Sequence, residues 1–472
     1  MTPAPNRRRG RVSPARTVAF ETLVRVEDDD AYANLILPSA IWRARLDRRD
    51  AAFATELTYG TLRNQGRIDW VLGHLVNRPL HRLDTSVRVI LRLTAHQLLH
   101  LRVPNHAAVA EGVELAKLYC ERGAEKFVNG TARSLVEKGV EYWEQKIHAI
   151  ERDAERVSVE FSHPQWIVRA FAAALSAHGR DPRELEELLA ANNVNPEVSL
   201  CARPGMILPA DLADDAEYFL HTTARPGDFS EWSVILSGGD PGRLNAIRDG
   251  RAAVQDEASQ LVTTALANVP VDGIDRRWLD MCAGPGGKAG LLGAFAQARG
   301  AQLLANEVAP HRARLVEQTV AGLDRVSVQV GDGRELGGEN HFDRILLDAP
   351  CSGLGSLRRR PESRWRHEAK DVPGLVKLQS QLLSSAWKAL APGGVLAYVT
   401  CTPHVEETLA QVQKLQGLPD LEVLPAAQLL DEVAMNPIEV EGTPVGQGNV
   451  VQMWPHLHGT DAMFLSLMRK KS

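Results

Sequence analysis

Two cysteines stand where an apolar run ends and a polar loop begins: Cys351 in RILLDAPCSGLGSL and Cys401 in GGVLAYVTCTPHVEE. Asp348 lies three residues before the first. A thiol and an acid at strand ends suit covalent catalysis on an electron-poor ring. Carbon 5 of cytosine is a poor nucleophile towards a methyl sulfonium. A thiolate added to carbon 6 turns the ring into an enamine whose carbon 5 can attack, so one hard step becomes several easier ones. Such chemistry needs a thiolate, an acid near ring N3 and a base for the carbon-5 proton. A lone strand-end cysteine reads more simply as a small buried hydrophobe. Two of them at neighbouring strand ends, one in Asp-Ala-Pro-Cys, argue against that reading, but residue types alone leave open which thiol attacks.

A methyl donor needs a site, and CAGPGGK, residues 282–288, offers one. The segment follows an apolar strand and opens a helix, where glycines allow a tight turn and close approach of a ligand to the backbone. A phosphate-binding P-loop requires GxxxxGK[ST]; here Cys282 stands six before Lys288 and Ala289 replaces the hydroxyl. The dinucleotide pattern GxGxxG also fails. A ligand without phosphates follows, with S-adenosylmethionine the leading candidate. Glu307 ends the next strand about 20 residues on, where an acid can accept from ribose hydroxyls. Asp332, in GDGR after the third strand, is placed to accept from an adenine amino group.

Charge is distributed unevenly along the 472 residues, although the formal net charge is only -5. Arg7, Arg8, Arg9, Arg11 and Arg16 precede the first acid, Glu21. Arg358, Arg359, Arg360, Arg364 and Arg366 crowd the segment just after Cys351, which points to phosphate contact there. Trp365 in the same run can stack on a base or pack in a core. Five cysteines without a CxxC pair form no disulfide framework and fit a reducing cytoplasm. His74, His96, His100 and His106 lack an HExxH spacing, so no metal site is expected. No apolar run approaches the ~20 residues of a membrane span, and no secretory signal is evident.

These residues must be held by some scaffold. Segments such as TVAFETLVRV, AAFATELTYGTL and VRVILRLTAHQLLHL space apolar residues at i, i+3, i+4, which predicts a helical bundle over residues 17–150 behind a flexible basic tail, 1–16. A Pro/Asn/Gly-punctuated connecting region of short helices and irregular segments spans 151–250. From 251 to 472 strand, turn and helix alternate, as in RWLDMC–AGPGGKAGLLGAFAQA and AQLLANE–PHRARLVEQTV. That alternation predicts a parallel, doubly wound sheet whose ligands sit at the carboxyl ends of the strands. The candidate residues all fall at those ends.

Taken together, CAGPGGK, GDGR, LLDAPCSGLGSLRRRPESRW and YVTCTPHVEE resemble the motifs of the RNA 5-methylcytosine methyltransferases, with the RsmB/Sun (Fmu) family of ribosomal RNA enzymes the nearest likeness. RRDAAFATELTYGTLRNQGRIDWVL and KFVNGTARSL resemble the NusB-like RNA-binding domain that precedes the catalytic part in that family. SHPQWIVRAF, AVQDEASQLV and PHLHGTDAMF extend the likeness over nearly the whole chain. The resemblance implies a multidomain protein: an all-α NusB-like bundle, then an α/β Rossmann-like, S-adenosylmethionine-dependent methyltransferase domain. It implies that Cys401 is the nucleophile, that Cys351 assists product release, and that Asp348 contacts the cytosine. Cys282, Ala283, Gly284, Pro285, Gly286, Gly287, Lys288, Glu307, Asp332 and Asp348 would line the donor site, with Lys288 positioning the loop and Asp348. The implied partner is RNA, small-subunit ribosomal RNA first and tRNA as an alternative, and a monomer is expected.

The chain departs from the family pattern at Gly284, Glu307, Leu354, Thr402-Pro403-His404 and Ala462-Met463; the last three bear on substrate choice more than on chemistry. A DNA cytosine methyltransferase would use the Pro-Cys thiol as nucleophile. No DNA-type glutamate-asparagine-valine motif follows that loop, and a second cysteine sits in Thr-Cys. A non-catalytic RNA-binding assembly factor would be signalled by loss of a cysteine, the acid or the glycine loop, and all are present. A loop cytosine flipped into the pocket is the expected target.

Overall fold

The computed structural model describes residues 12–336 and 338–472. They divide into two compact units. One comprises residues 12–169 together with 359–366, the other the described residues of 170–358 together with 367–472.

The first unit is helical: α1 (Pro14–Asp28), α2 (Ala33–Ala44), α3 (Arg48–Arg63), α4 (Gln65–Gly73), α5 (Thr85–His100), α6 (Asn105–Tyr119), α7 (Ala124–Lys138), α8 (Val140–His148) and α9 (Asp153–Glu160). Local sequence sets the helix starts. Asp47 caps α3 by accepting from the Asp50 N–H, and Asp84 caps α5 by accepting from Ser86 and Val87. The apolar stripe of α1, Val18, Ala19, Phe20, Leu23 and Val26, is buried at helical spacing. Helix α5 is buried through its middle, from Val89 to Gln97, and packs with Leu57, Ile68 and Trp143. Its Arg92 is buried between Asp69, at 2.6 Å, and Glu27.

The expected tail, 1–16, is corrected at its end. Arg7, Arg8, Arg9 and Arg11 lie outside the described residues, but Arg16 belongs to α1. It is buried, donates to Gln97 at 2.8 Å, and lies over the Phe53 ring. Pro14 at the first helical turn explains the early start, since its missing N–H costs nothing there.

Helix α10 (Gln165–Ala177) is followed in the second unit by α11 (Glu184–Ala191) and by a small antiparallel sheet. Its strands are β1 (Val198–Ala202), β2 (Ala224–Pro226), β3 (Ser233–Leu236) and β4 (Ala252–Val254), in the order β2-β3-β1-β4, with α12 (Pro209–Leu220) against it. The connecting region is therefore more regular than its sequence predicts. Strands of three to five residues are too short for a period-two pattern to declare itself.

Beyond a four-residue helix α13 (Asn245–Arg248) comes the main sheet. Its parallel part is β5 (Arg277–Asp280), β6 (Gln302–Glu307), β7 (Val326–Val330), β8 (Phe342–Asp348) and β9 (Leu390–Thr400). An antiparallel extension adds β10 (Leu421–Val423), β11 (Thr443–Val445), β12 (Gly448–Gln452) and β13 (Phe464–Lys470). The order along the sheet is β11-β12-β13-β9-β8-β5-β6-β7, with β10 paired to β13.

Helices α14 (Glu257–Asn268), α15 (Gly287–Ala298), α16 (Pro310–Thr319) and α17 (Val372–Ala389) cover the sheet. Alternating residues feed two apolar layers: Leu346, Val395 and Ala397 pack with α14 and α15, whereas Ile345, Leu347, Leu396 and Tyr398 pack with α17. From β5 the chain winds one way to β6 and β7, while β8 and β9 lie on the other side. The strand order thus reverses at β5, where ligands bind in open sheets of this kind.

Candidate active site

Every catalytic candidate lies at a carboxyl end of the parallel strands. Asp280 ends β5 and the 282–286 loop leads into α15; Glu307 ends β6; Asp332 follows β7; Asp348 ends β8; Cys401 follows β9. The loop after β8 carries Cys351 back so that its Sγ lies 3.5 Å from Cys401 Sγ.

That short contact makes the two thiols unequal. The hydrogen bond shared with Cys351 holds Cys401 below the ordinary thiol range against the opposing effects of burial and of Asp348. Lys288 adds a smaller effect in the same direction. The same bond, and then burial, push Cys351 well up. The arrangement favours ionisation at Cys401 over Cys351, with Cys351 able to donate to the Cys401 sulfur. Cys282, also in the site, is pushed up by burial and by Asp280 and Asp348, and packs against the apolar layer that faces α17.

Buried hydrogen bonds hold the two cysteine loops. Glu407 is fully buried and accepts from the Ser352 N–H at 2.9 Å, from the Ser352 hydroxyl and from Gln379 Nε2 at 3.0 Å. Thr402 keeps a hydroxyl after the second cysteine, and it lies 2.9 Å from that of Ser352. Gly355 N–H donates to the Cys401 carbonyl at 2.8 Å, and its own carbonyl accepts from Ala462 N–H at 2.9 Å. A Cβ on Gly355 would stand 2.1 Å from the Ala462 oxygen and 2.8 Å from the Cys401 oxygen, so only glycine fits this crossing.

Lys288 Nζ lies 2.7 Å from Asp348 Oδ2. Burial would lower the lysine, but Asp348 outweighs it and holds the ammonium charged. Glu307 accepts from Gly284 N–H at 3.0 Å and Ala309 N–H at 2.9 Å and faces Arg312 at 3.7 Å. It braces the glycine loop directly. Asp332 caps a short turn and is engaged by Arg334, which keeps its carboxyl low.

Two polar side chains that sequence reasoning passed over stand out by lacking partners. Asp280 is fully buried beside the Cys282 backbone N–H, yet both carboxylate oxygens lack a well-formed hydrogen bond. Burial, and then Asp348, push its carboxyl up to about 8. Gln255, just before α14, is buried with both amide atoms unsatisfied, and its carboxamide carbon lies 3.8 Å from where a Cβ on Gly287 would be. Buried polar atoms without partners are costly unless a ligand supplies them. Orphaned polar groups beside the glycine loop suit the charged amino-acid end of S-adenosylmethionine, so the residues present fit that donor. The only sequence signal for Gln255 was its place in AVQDEASQLV.

The arginine run is revised. Arg358 is buried, donates to the Gly459 carbonyl and faces Asp256 at 3.9 Å. Residues 359–366 belong to the helical unit. There Arg364 is fully buried and donates to the carbonyls of Arg63 and Ser162 at 3.0 and 3.1 Å. Arg360 and Arg366 lie over the Tyr32 ring, at 4.9 and 4.0 Å, and Arg366 also donates to the Ala31 carbonyl. Arg359 is half-buried. Buried guanidinia committed to carbonyls are structural, so Arg358 and Arg364, contrary to the expectation from sequence, do not present themselves to phosphates. Trp365 packs over Gly66.

Comparison with known proteins accords with this geometry. Residues 267–469 match the family model described as 16S rRNA methyltransferase RsmB/F, and residues 13–137 match that of the NusB family. A putative methyltransferase of Mycobacterium tuberculosis is 43% identical over 98% of both chains. The probable ribosomal RNA small subunit methyltransferase B of Bacillus subtilis is 32% identical over 97% of this chain and 98% of its own. The ribosomal RNA small subunit methyltransferase B of Escherichia coli is 30% identical over 86% and 91%. Among solved structures, PH0851 shares the fold over 98% of this chain and 100% of its own, with a TM-score of 0.79 at 21% identity. NSun6 from Pyrococcus horikoshii with SFG covers 66% and 98%, with a TM-score of 0.52 at 17% identity. With a NusB-type helical unit and a cysteine-bearing Rossmann-like sheet matched along its length, the chain belongs to the RsmB/F family of RNA methyltransferases.

Proposed function

We propose that the protein methylates carbon 5 of a cytosine in 16S ribosomal RNA, using S-adenosylmethionine and a transient covalent bond between Cys401 and carbon 6 of the base. The observation that carries this reading is the unequal thiol pair, 3.5 Å apart, beside the Lys288–Asp348 pair. The names of the relatives support ribosomal RNA as substrate.

Bound in the 282–288 loop, the donor supplies a methyl group on a positively charged sulfur. Gln255 and Asp280 offer it their unpartnered polar atoms, and Glu307 keeps the loop in shape. Cys401 adds to carbon 6 as a thiolate, held ionised by the Cys351 thiol and Lys288. Asp348, with one oxygen on Lys288, contacts the base near N3, and the Lys288 ammonium held beside it offsets the negative charge that develops as the thiolate adds. Once carbon 5 carries the methyl group the donor would supply, its proton passes to solvent, the electron pair re-forms the 5,6 double bond, and the carbon 6–sulfur bond breaks to free Cys401 as a thiolate. The Cys351 thiol assists that departure by donating a hydrogen bond to the leaving sulfur.

Labelled S-adenosylmethionine and unmodified 16S ribosomal RNA, with a tRNA arm for comparison, provide the test. Cys401→Ala abolishes transfer, whereas Cys351→Ala accumulates a protein–RNA adduct that survives a denaturing gel. An adduct with Cys401→Ala and none with Cys351→Ala would exchange the two roles, and label appearing in tRNA alone would remove ribosomal RNA from the reading.

A further inference from the structure

The corner between α2 and α3 reads IWRARLDRRD, and nothing in the chemistry above uses it. Trp42 is 77% exposed, more than any other large apolar side chain among the described residues. Leu35, 67% exposed, lies two turns earlier on the same helical face. Among the described residues the Trp42 ring stacks on no other ring and its indole N–H meets no acceptor. Burial in a core does not explain it.

Arg43, Arg45, Arg48 and Arg49 flank the tryptophan, and all four are exposed. Among the described residues none of them has a carboxylate, carbonyl or ring partner, in contrast to Arg16, Arg88 and Arg92 of the same unit. Three of the four sit where local structure disfavours them. Arg45 ends α2 in the left-handed conformation, φ 51°, that glycine adopts more cheaply. Arg48 and Arg49 open α3, where the positive end of the helix dipole repels cations. The acids in the segment are Asp47 and Asp50, and Asp47 is committed to capping α3 at 2.8 Å from the Asp50 nitrogen. The corner therefore keeps its cations against local preference and unpaired by any described residue.

A flat exposed ring set among unpaired guanidinia is complementary to a single-stranded polyanion: bases stack on the ring and phosphates meet the arginines. We infer that Trp42 with Arg43, Arg45, Arg48 and Arg49 is an RNA-binding surface of the helical unit that holds an unpaired stretch of the substrate RNA other than the reacting nucleotide. This deepens, and rests on, the reading of RNA as substrate.

The test uses the full chain and a fluorescein-labelled 20-nucleotide oligouridine, which has no cytosine to occupy the catalytic site. Anisotropy titrations run across a series of KCl concentrations. Replacing the four arginines with glutamine weakens binding about tenfold or more at 0.1 M KCl and flattens the plot of log affinity against log salt by roughly 0.7 for each phosphate that is no longer neutralised. Trp42→Ala weakens binding at least about fivefold with the slope unchanged, and Trp42→Phe restores most of the loss. With ribosomal RNA as substrate, both variants raise KM and leave kcat in place. Circular dichroism and melting confirm that these surface variants fold. If the unsubstituted chain binds the probe and the variants bind within twofold of it, the surface is not an RNA site, while the methyltransferase reading stands. If the unsubstituted chain neither binds RNA nor transfers methyl to it, both fall together.

Discussion

Replacing Lys288 with methionine probes the charge balance on which the site rests. Its ammonium lies 2.7 Å from Asp348 and also attracts Asp280 and Cys401. Removal leaves Asp348 unpaired and deprives Asp280 of its neighbouring cation. Breaking a buried pair by deleting one partner costs about 3–5 kcal/mol. Asp348 retains 27% of its side-chain exposure, which places the loss near the low end, about 3 kcal/mol. At roughly 2–4 °C per kcal/mol, the Tm of the catalytic unit falls by about 6–12 °C at pH 8.

The loss depends on pH with a defined sign. Without the ammonium, the acid cluster is harder to ionise in the folded state than in the unfolded one, so folding takes up a proton. Stability is then gained as pH falls, by up to about 1.4 kcal/mol per pH unit for one extra proton. Melting followed by calorimetry at pH 8 and pH 6 should show the deficit of Lys288→Met shrink towards the lower pH. Adding Asp348→Asn should restore part of the stability, since the second change removes the unpaired charge. A deficit that stays constant from pH 8 to 6, together with a double variant no more stable than Lys288→Met, would refute an electrostatic role and leave only packing.

Asp280→Asn has the opposite consequence. The native carboxyl is pushed up to about 8 while the unfolded one ionises near the ordinary value of about 3.9, so the wild type loses stability as pH rises between those values. The stability difference in favour of the amide should grow from about pH 4 to about pH 8 and level off above; parallel melting curves would contradict the assignment. Gly355→Ala forces the Ala462 and Cys401 carbonyls apart from their present distances, and kcat should drop at least about tenfold while donor affinity, measured by calorimetric titration, stays within about threefold. Arg364→Met strips the Arg63 and Ser162 carbonyls of their donor, which at about 1–3 kcal/mol per stranded group should lower the melting temperature of the helical unit with little change across pH 6–8.

Local signals made much of this molecule legible. The helical spacing of α1, α3 and α5 and the strand–loop–helix order around residues 277–298 report contacts within a few residues, so a linear reading suffices. Cys351 and Cys401 were legible because each ends a strand in an unusual loop. The 3.5 Å contact that makes them unequal was not, since 50 residues and all of α17 intervene. Asp280 read as an ordinary strand residue, because its meaning lies in a carboxylate buried beside Asp348 and without partners. The arginines at 358–366 misled for the same reason. A run of charges has one appearance in sequence whether it faces solvent or, like Arg364, fills a polar slot between two backbone carbonyls. The β10–β13 extension was missed because its first strands have three residues each and antiparallel pairing leaves no strand–helix rhythm.

The chain contributes to the helical unit twice, with residues 12–169 and again with 359–366. Three peptide junctions thus join the units, so cutting any one backbone linker leaves them covalently connected through another. A fragment beginning near residue 170 would carry Arg364 and Pro361 cut off from the carbonyls and side chains that bury them. A fragment ending near 169 would lack the eight residues that complete its own interior. Neither half is a modular piece that could be transplanted intact, and gain or loss of the helical unit by simple end-to-end fusion would require the 359–366 excursion to be rebuilt in step.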